Sequence, residues 1–263
     1  MGQPAVSALA PLPFDLVYED GEPLESEWHT WAYTLLRGLI RQLMEEHGRR
    51  DFYVGGNMFV YYSVEQARDV AQGRQYFRGP DVFWVGGVAR RRRKAWVAWE
   101  DGGRLPDVIV ELSSPSTASI DRKEKKDLYA RVFRTSEYYL YDPDLRQWEG
   151  FRLVGGGYVP MVPDAQGRFW SEQLGAFLGV WHDVYEDMED DWVRLFRRDG
   201  SLILTGKESA QVERQRADEE RQRAEVERQR ADVERQRAKE QSQRAEAAEA
   251  ELARLRALLE GRS

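Results

Sequence analysis

Four near-copies of one seven-residue unit stand in a row near the end of this chain: VERQRAD at 212–218, EERQRAE at 219–225, VERQRAD at 226–232 and VERQRAK at 233–239. A seven-residue period built from good helix formers has one regular structure open to it, a helix. From residue 207 to 263 there is no aromatic residue, and 14 basic residues face 14 acidic ones. Such a segment cannot build a core of its own. All 31 aromatic residues and the whole net charge of −7 therefore belong to residues 1–206. With Leu252, Leu255 and Leu259 at a, d and a, Ala217, Ala224, Ala231, Ala238 and Ala245 fall at a, but Glu220, Glu227, Glu234 and Gln241 fall at d. A coiled-coil seam wants apolar residues at both positions. The repeat thus admits a weak homo-oligomeric coiled coil or a single charged helix supported by i,i+4 pairs such as Glu219–Arg223. Fully helical, it would extend roughly 85 Å at 1.5 Å per residue.

The division sets three segments: an irregular lead-in over 1–24, a folded body over 25–206 and the charged tail over 207–263. In the body, Trp28, Trp31, Ala32, Leu35, Leu36, Leu39, Ile40, Leu43 and Met44 recur at spacings of three and four. That pattern predicts an amphipathic helix with Ser26 as N-cap and Gly48 near its end. Short β-like runs follow at 51–54, 58–62, 81–85, 95–99 and 107–112, with 63–80 reading as a polar loop. The run Val108-Ile109-Val110 is apolar throughout, as in a strand buried on both faces. A helix is expected over about 121–132 with Leu128, Tyr129 and Val132 on one side. Strands are expected at 137–141, 148–154 and 158–162, then a short helix near 171–178, then strands near 192–196 and 202–204. The order is α/β or α+β, without the pattern of a doubly wound nucleotide fold.

Several chemistries drop out. With no cysteine there is no disulfide, thiolate zinc site or thiol nucleophile. No apolar run reaches the ~18 residues of a membrane span, and the first residues lack the pattern of a signal peptide. A cytoplasmic protein is the expectation. His29, His47 and His182 are scattered, and neither a GxSxG nor a P-loop pattern occurs.

What remains is a spaced set of polar groups around the middle strands. Asp81 follows Arg78-Gly79-Pro80, Glu111 closes the strand opened by Pro106-Asp107, and Lys123, Lys125 and Lys126 begin the next helix. Two carboxylates from adjacent strands can hold a hard cation such as Mg²⁺, and a nearby ammonium can offset charge on a phosphate. A carboxylate ending a Val-Ile-Val run also risks costly burial unless it is paired or metal-bound. The bland alternatives are a turn or cap role for Asp81, a salt bridge from Glu111 to a helix lysine, and a solvated helix face for the lysines. Asp107 reads as a strand-edge residue and a weaker candidate. Asp121 reads as an N-cap and Asn57 as a turn residue.

These residues carry a resemblance. Arg78-Gly79-Pro80-Asp81, PDVIVELSSPST at 106–117, Asp121-Arg122 with Lys125-Lys126, and FRTSEYYLYDP at 133–143 resemble the restriction endonucleases of the domain-of-unknown-function type within the PD-(D/E)XK superfamily. The resemblance spans about residues 14–206. It implies an αβββαβ core with a β-rich extension, Mg²⁺ or Mn²⁺ as cofactor, and nucleic acid, DNA in the first instance, as partner. Asp81 and Glu111 would be the metal-binding carboxylates. Ser113 stands where the superfamily's strand lysine would be, and the family's helix lysine matches Lys125, with Lys123 and Lys126 behind it. Glu27 is the candidate for a glutamate contributed by the first helix. The block Arg90-Arg91-Arg92-Arg93-Lys94 reads as a hairpin loop touching phosphates beside this site, because like charge crowded into one turn repels without a partner. The expected function is a metal-dependent endonuclease. The alternative is a catalytically inactive nuclease-fold binding or scaffold protein acting through its helical tail, which Ser113 and the acidic body favour.

Overall fold

The computed structural model describes residues 12–18, 26–74, 79–113 and 121–260. The chain divides into two compact units, Met1–Thr205 and Gly206–Ser263.

The first unit opens with helix α1, Glu27–Glu46, whose N-cap Ser26 accepts a hydrogen bond from the His29 backbone. Its buried stripe runs through His29, Ala32, Leu36, Leu39, Ile40 and Leu43. Strands β1 (Phe52–Gly55), β3 (Val82–Gly86), β5 (Val108–Leu112), β6 (Glu137–Asp142), β7 (Gln147–Val154) and β8 (Gly157–Pro160) form one sheet in the order β1-β3-β5-β6-β7-β8. Every neighbouring pair is antiparallel except β5 and β6. A parallel pair needs a crossover, and helix α3 (residues 121–133) between them supplies it. With α1, the elements β1, β3, β5, α3 and β6 make the αβββαβ core.

Side-chain alternation along the strands sorts the body into two apolar layers. Val82, Trp84, Val108, Val110 and Leu112 pack with α1. Phe83, Val85, Ile109, Tyr138 and Leu140 pack with Ala67 and Val70 of α2 (Val64–Ala71) and with Tyr129 and Phe133 of α3.

Several local expectations change. Residues 63–80 are not all loop: α2 occupies Val64–Ala71, capped by Ser63, whose hydroxyl accepts from the Gln66 backbone. Its apolar positions Val64, Ala67 and Val70 keep helical spacing but fill only two turns. The run at 95–99 gives two strand residues, β4 (Trp96–Val97), which pair in parallel with β2 (Val60–Tyr61) outside the main sheet, followed by a 3₁₀ turn at Ala98–Asp101. The helix expected near 171–178 is instead β9 (Phe169–Ser171), a turn, and the start of β10 (Ala176–Tyr185), which with β11 (Met188–Phe196) forms a three-stranded antiparallel sheet. Leu202 contributes an isolated bridge to Phe196. Helix α3 consists of a π turn at Asp121–Lys125, an α turn at Lys126–Leu128 and a π turn at Tyr129–Phe133. Its wide turns shift the 3.6-residue phase, so Ala130 and Phe133 are buried while Val132 is exposed.

The second unit is one helix, α4, Gly206–Glu260. Its side chains are exposed from Glu213 to Arg254. Polar pairs lie along it, including Gln215–Glu219 at 3.2 Å, Gln236–Glu240 at 3.0 Å and Arg221–Asp218 at 3.6 Å. Among the described residues, no helix is long and apolar enough to cross a membrane.

Candidate active site

Backbone register brings the two candidate carboxylates together. Val82 of β3 lies opposite Val110 of β5, so Asp81 and Glu111 are the next pair toward the sheet's end. The Asp81 amide faces Glu111 Oε2 at 3.4 Å, and Asp81 Oδ2 accepts from the Leu112 amide at 2.7 Å. The motif's glycine has a steric reason. A Cβ at Gly79 would lie 1.5 Å from the Met58 carbonyl oxygen. Beside it, Asn57 at φ +47° turns its amide onto the Pro80 and Asp81 carbonyls, which identifies Asn57 as a turn residue.

Helices supply the rest. From α1, His29 Nε2 lies 3.0 Å from Asp81 Oδ1. From α3, Lys125 Nζ donates to Glu111 Oε2 at 3.2 Å and Tyr129 OH donates to Glu111 Oε1 at 2.6 Å. Glu111 is wholly buried, whereas the Asp81 and Lys125 side chains keep 16% and 14% of their surface. Glu111 therefore forms the floor of the site, and Asp81 and Lys125 its accessible part. Burial alone would raise the Asp81 carboxyl. The hydrogen bond from His29 and the charge of Lys125 outweigh it and hold that carboxyl below its ordinary value.

Two carboxylates side by side with solvent access on one of them suit a hard cation that keeps much of its water, since Mg²⁺ is commonly held by one or two carboxylates plus water or phosphate. Among the described residues no group of three His, Asp or Glu side chains gathers as a ligand set. The donors in place are the two carboxylates.

The other candidates lie elsewhere. Glu27 is exposed, and it is His29, two residues on, that reaches Asp81 from α1. Ser113 is buried, its amide donating to the Tyr141 carbonyl at 2.7 Å. Lys123 is exposed, and Lys126 lies over the Phe151 ring, 3.2 Å from its centroid. Asp107 sits at the opposite end of β5, accepting from the Gly86 amide at 2.8 Å and pairing with Arg104 at 3.0 Å. The motif residues Arg78 and 114–117 lie outside the described residues.

The basic run needs the largest revision. Because β4 pairs with β2, Arg90–Lys94 is not a hairpin. It follows β3 at the end away from Asp81, five residues or about 17 Å along the strand at 3.3 Å each. Its charge also has partners within the chain: Arg90 with Glu45 at 2.7 Å, Arg91 with Glu100 at 3.2 Å, and Arg93 with Asp101 at 2.6 Å. Lys94 lies over the Tyr18 ring. The repulsion that seemed to demand an external partner is largely met internally.

His29 and Tyr129 were legible as signals but not as site residues. His29 falls in phase with Ala32, Leu36 and Leu43 on the buried stripe, where a polar side chain must find a partner. Tyr129 is four residues after Lys125, so both project toward the same strand.

An αβββαβ sheet with paired carboxylates at the ends of two interior strands and a lysine from the crossover helix defines a nuclease-like fold of the restriction-endonuclease kind. Residues 14–185 match the family described as Uma2, putative restriction endonuclease, and the chain belongs to that family. Among solved structures it is similar to a putative nuclease belonging to DUF820 from Anabaena variabilis ATCC 29413, with 14% sequence identity, a TM-score of 0.40, and coverage of 60% of this chain and 81% of that one. No curated protein matches the chain.

Proposed function

We propose that this chain is a divalent-metal-dependent endonuclease that hydrolyses phosphodiester bonds in DNA. The carrying observation is the register pairing of Asp81 with Glu111, with Lys125 on the same carboxylate. Asp81 and Glu111 would hold Mg²⁺ or Mn²⁺, which when bound lowers the pKa of an attacking water and offsets charge on the leaving oxygen. The protein's own groups do the positioning. His29 and the Leu112 amide fix both oxygens of Asp81, and Tyr129 fixes one oxygen of Glu111. Lys125, partly exposed, can turn its ammonium toward a phosphate that enters beside Asp81 and offset the charge developing there.

Cleavage of duplex DNA in Mg²⁺ or Mn²⁺ tests the reading. The expected result is cleavage by the wild type that is lost in Asp81→Ala and in Glu111→Ala. Absence of cleavage on duplex, single-stranded DNA and RNA, together with no metal binding by calorimetry, would overturn it in favour of a binding or scaffold module. The tail is proposed as a solvated helix rather than a full coiled coil, because glutamate occupies three successive d positions. Deleting 207–263 should leave the number of subunits by light scattering unchanged. A drop to a smaller oligomer would establish the coiled coil instead.

A further inference from the structure

Away from the carboxylates, a cavity of about 300 Å³ is lined by Arg41 of α1, by Phe52–Val54 of β1 and by Arg90, Arg91 and Arg92. Four guanidiniums border one space. Two of them are answered by carboxylates: Arg90 by Glu45, and Arg91 by Glu100 and Asp101. Among the described residues, Arg41 and Arg92 have no carboxylate partner, although Arg41 is half-buried. The space thus carries two uncompensated positive charges, and guanidinium is the group best shaped to grip phosphate oxygens in pairs.

The lining is also held in place. The Arg93 side chain is 2% exposed. It donates to Asp101 at 2.6 and 2.9 Å, stacks on the Tyr53 and Trp96 rings, and donates back to the Ala89 and Arg91 carbonyls at 2.9 and 3.2 Å. One buried guanidinium therefore curls the segment on either side of Arg90 and fixes the backbone that carries Arg91 and Arg92. A site ordered before its ligand arrives loses less entropy on binding.

Its position relative to the carboxylates follows from α1. His29, at Asp81, and Arg41, at the cavity, are twelve residues apart on one helix, about 18 Å at 1.5 Å per residue. Along the axis of a duplex lying parallel to α1 that distance corresponds to roughly five base-pair steps at 3.4 Å each.

We propose that the Arg41–Arg92 cavity is a second anchoring site, binding a backbone phosphate of the nucleic acid about five nucleotides from the bond at Asp81 and Glu111. This rests on the nuclease reading for its ligand. It explains why two arginines remain unpaired in a body that is acidic overall.

The test uses the full chain carrying Arg41→Gln and Arg92→Gln together, neither residue belonging to the carboxylate site. Binding of a 20-base-pair duplex is followed by fluorescence anisotropy without metal across a salt series, and cleavage is measured separately. The expected result is a wild-type thermal midpoint, about tenfold weaker binding, and a slope of log K against log salt shallower by about 0.9, as loss of one phosphate contact requires. The charge-matched tail variant Arg216→Gln with Arg223→Gln should bind as wild type. Duplexes shortened to about three base pairs on the cavity side should lose the difference between wild type and variant. An unchanged salt slope overturns the proposal even if the wild type cleaves. A changed slope upholds it even if no cleavage is seen, so the two readings fail separately. Calorimetric binding of inorganic pyrophosphate that depends on Arg41 and Arg92, with duplex binding unaffected, would also overturn it by making the cavity a small-anion site.

Discussion

Two glutamates are buried in neighbouring strands of one sheet, and their surroundings differ in kind. Glu137 in β6 is 1% exposed and accepts from Ser171 Oγ, from Tyr139 OH at 3.2 Å, from the Glu172 amide at 2.9 Å and from Arg152 at 3.4 Å. Those donors converge on a single carboxylate, and its charge in turn pushes the Tyr139 phenol, already raised by burial, further up. Glu111 in β5 is 0% exposed and has Tyr129 and Lys125 as partners, but a second carboxylate, Asp81, stands at its side. One arrangement consumes a negative charge to join β6 to β9. The other concentrates negative charge where solvent reaches it, with one ammonium and one imidazole to offset it. Burial of a carboxylate therefore says little about function. The presence of an adjacent like charge says more, because a bound cation or a shared proton must relieve it.

Exchanging each glutamate for its uncharged isostere is the sharpest way to break this contrast. Glu111→Gln should cost the most, about 10³-fold in cleavage, since loss of a metal-binding carboxylate removes several kcal/mol of transition-state stabilisation. Its thermal midpoint should fall by only a few degrees, because relief of the repulsion with Asp81 offsets much of the weakened pairing with Lys125 and Tyr129. Glu137→Gln should do the reverse. Its amide nitrogen meets hydroxyl and amide donors, and at about 1–3 kcal/mol for each buried group left unsatisfied the loss is about 3 kcal/mol. That is roughly 10 °C for a body of this size at 2–4 °C per kcal/mol, with cleavage by the remaining folded protein intact. Should Glu111→Gln melt as low as Glu137→Gln, both glutamates are structural and the contrast is lost.

How much of this could be read from residues alone follows the same line. The succession of helix and strands follows from local patterning, while the αβββαβ core and the places of Asp81, Glu111 and Lys125 follow from the family resemblance that the motif spacing carries, and the three side chains do meet. Glu137 was passed over because its strand, Glu-Tyr-Tyr-Leu-Tyr, gives no hint that Ser171, thirty-four residues on, closes over it. The same kind of long-range contact hid His29 from view, since its partner Asp81 lies fifty-two residues away. Residues 171–178 suggest a helix because Leu174 and Leu178 keep a spacing of four. A turn at Gly175, at φ +68°, separates them, and Leu178 then pairs with Phe169 in a hairpin. The basic run misled through an assumption about connectivity. A hairpin needs strands adjacent in sequence to pair with each other, whereas β4 pairs with β2 outside the main sheet and Arg90–Lys94 follows β3 at its end away from Asp81.

The smallest effect comes from the phenol on Glu111. Tyr129→Phe removes a 2.6 Å hydrogen bond to a carboxylate in a dry environment while keeping the ring edge-on to Tyr138 and tilted against Phe133. Hydrogen bonds to charged groups contribute about 1.5–3 kcal/mol, and Lys125 still answers the other oxygen, so a loss of about 1.5 kcal/mol is expected by denaturant melting. The informative number is the coupling to Glu111→Gln. If the hydroxyl serves the charge rather than the packing, the loss should shrink to well under 1 kcal/mol once Glu111 is neutral, because contacting residues couple in a double-mutant cycle. Additive losses would mean that Tyr129 ties α3 to β5 whatever the charge on Glu111. Glu111 would then join Glu137 as a structural carboxylate, leaving Asp81 alone to explain any cation at the site.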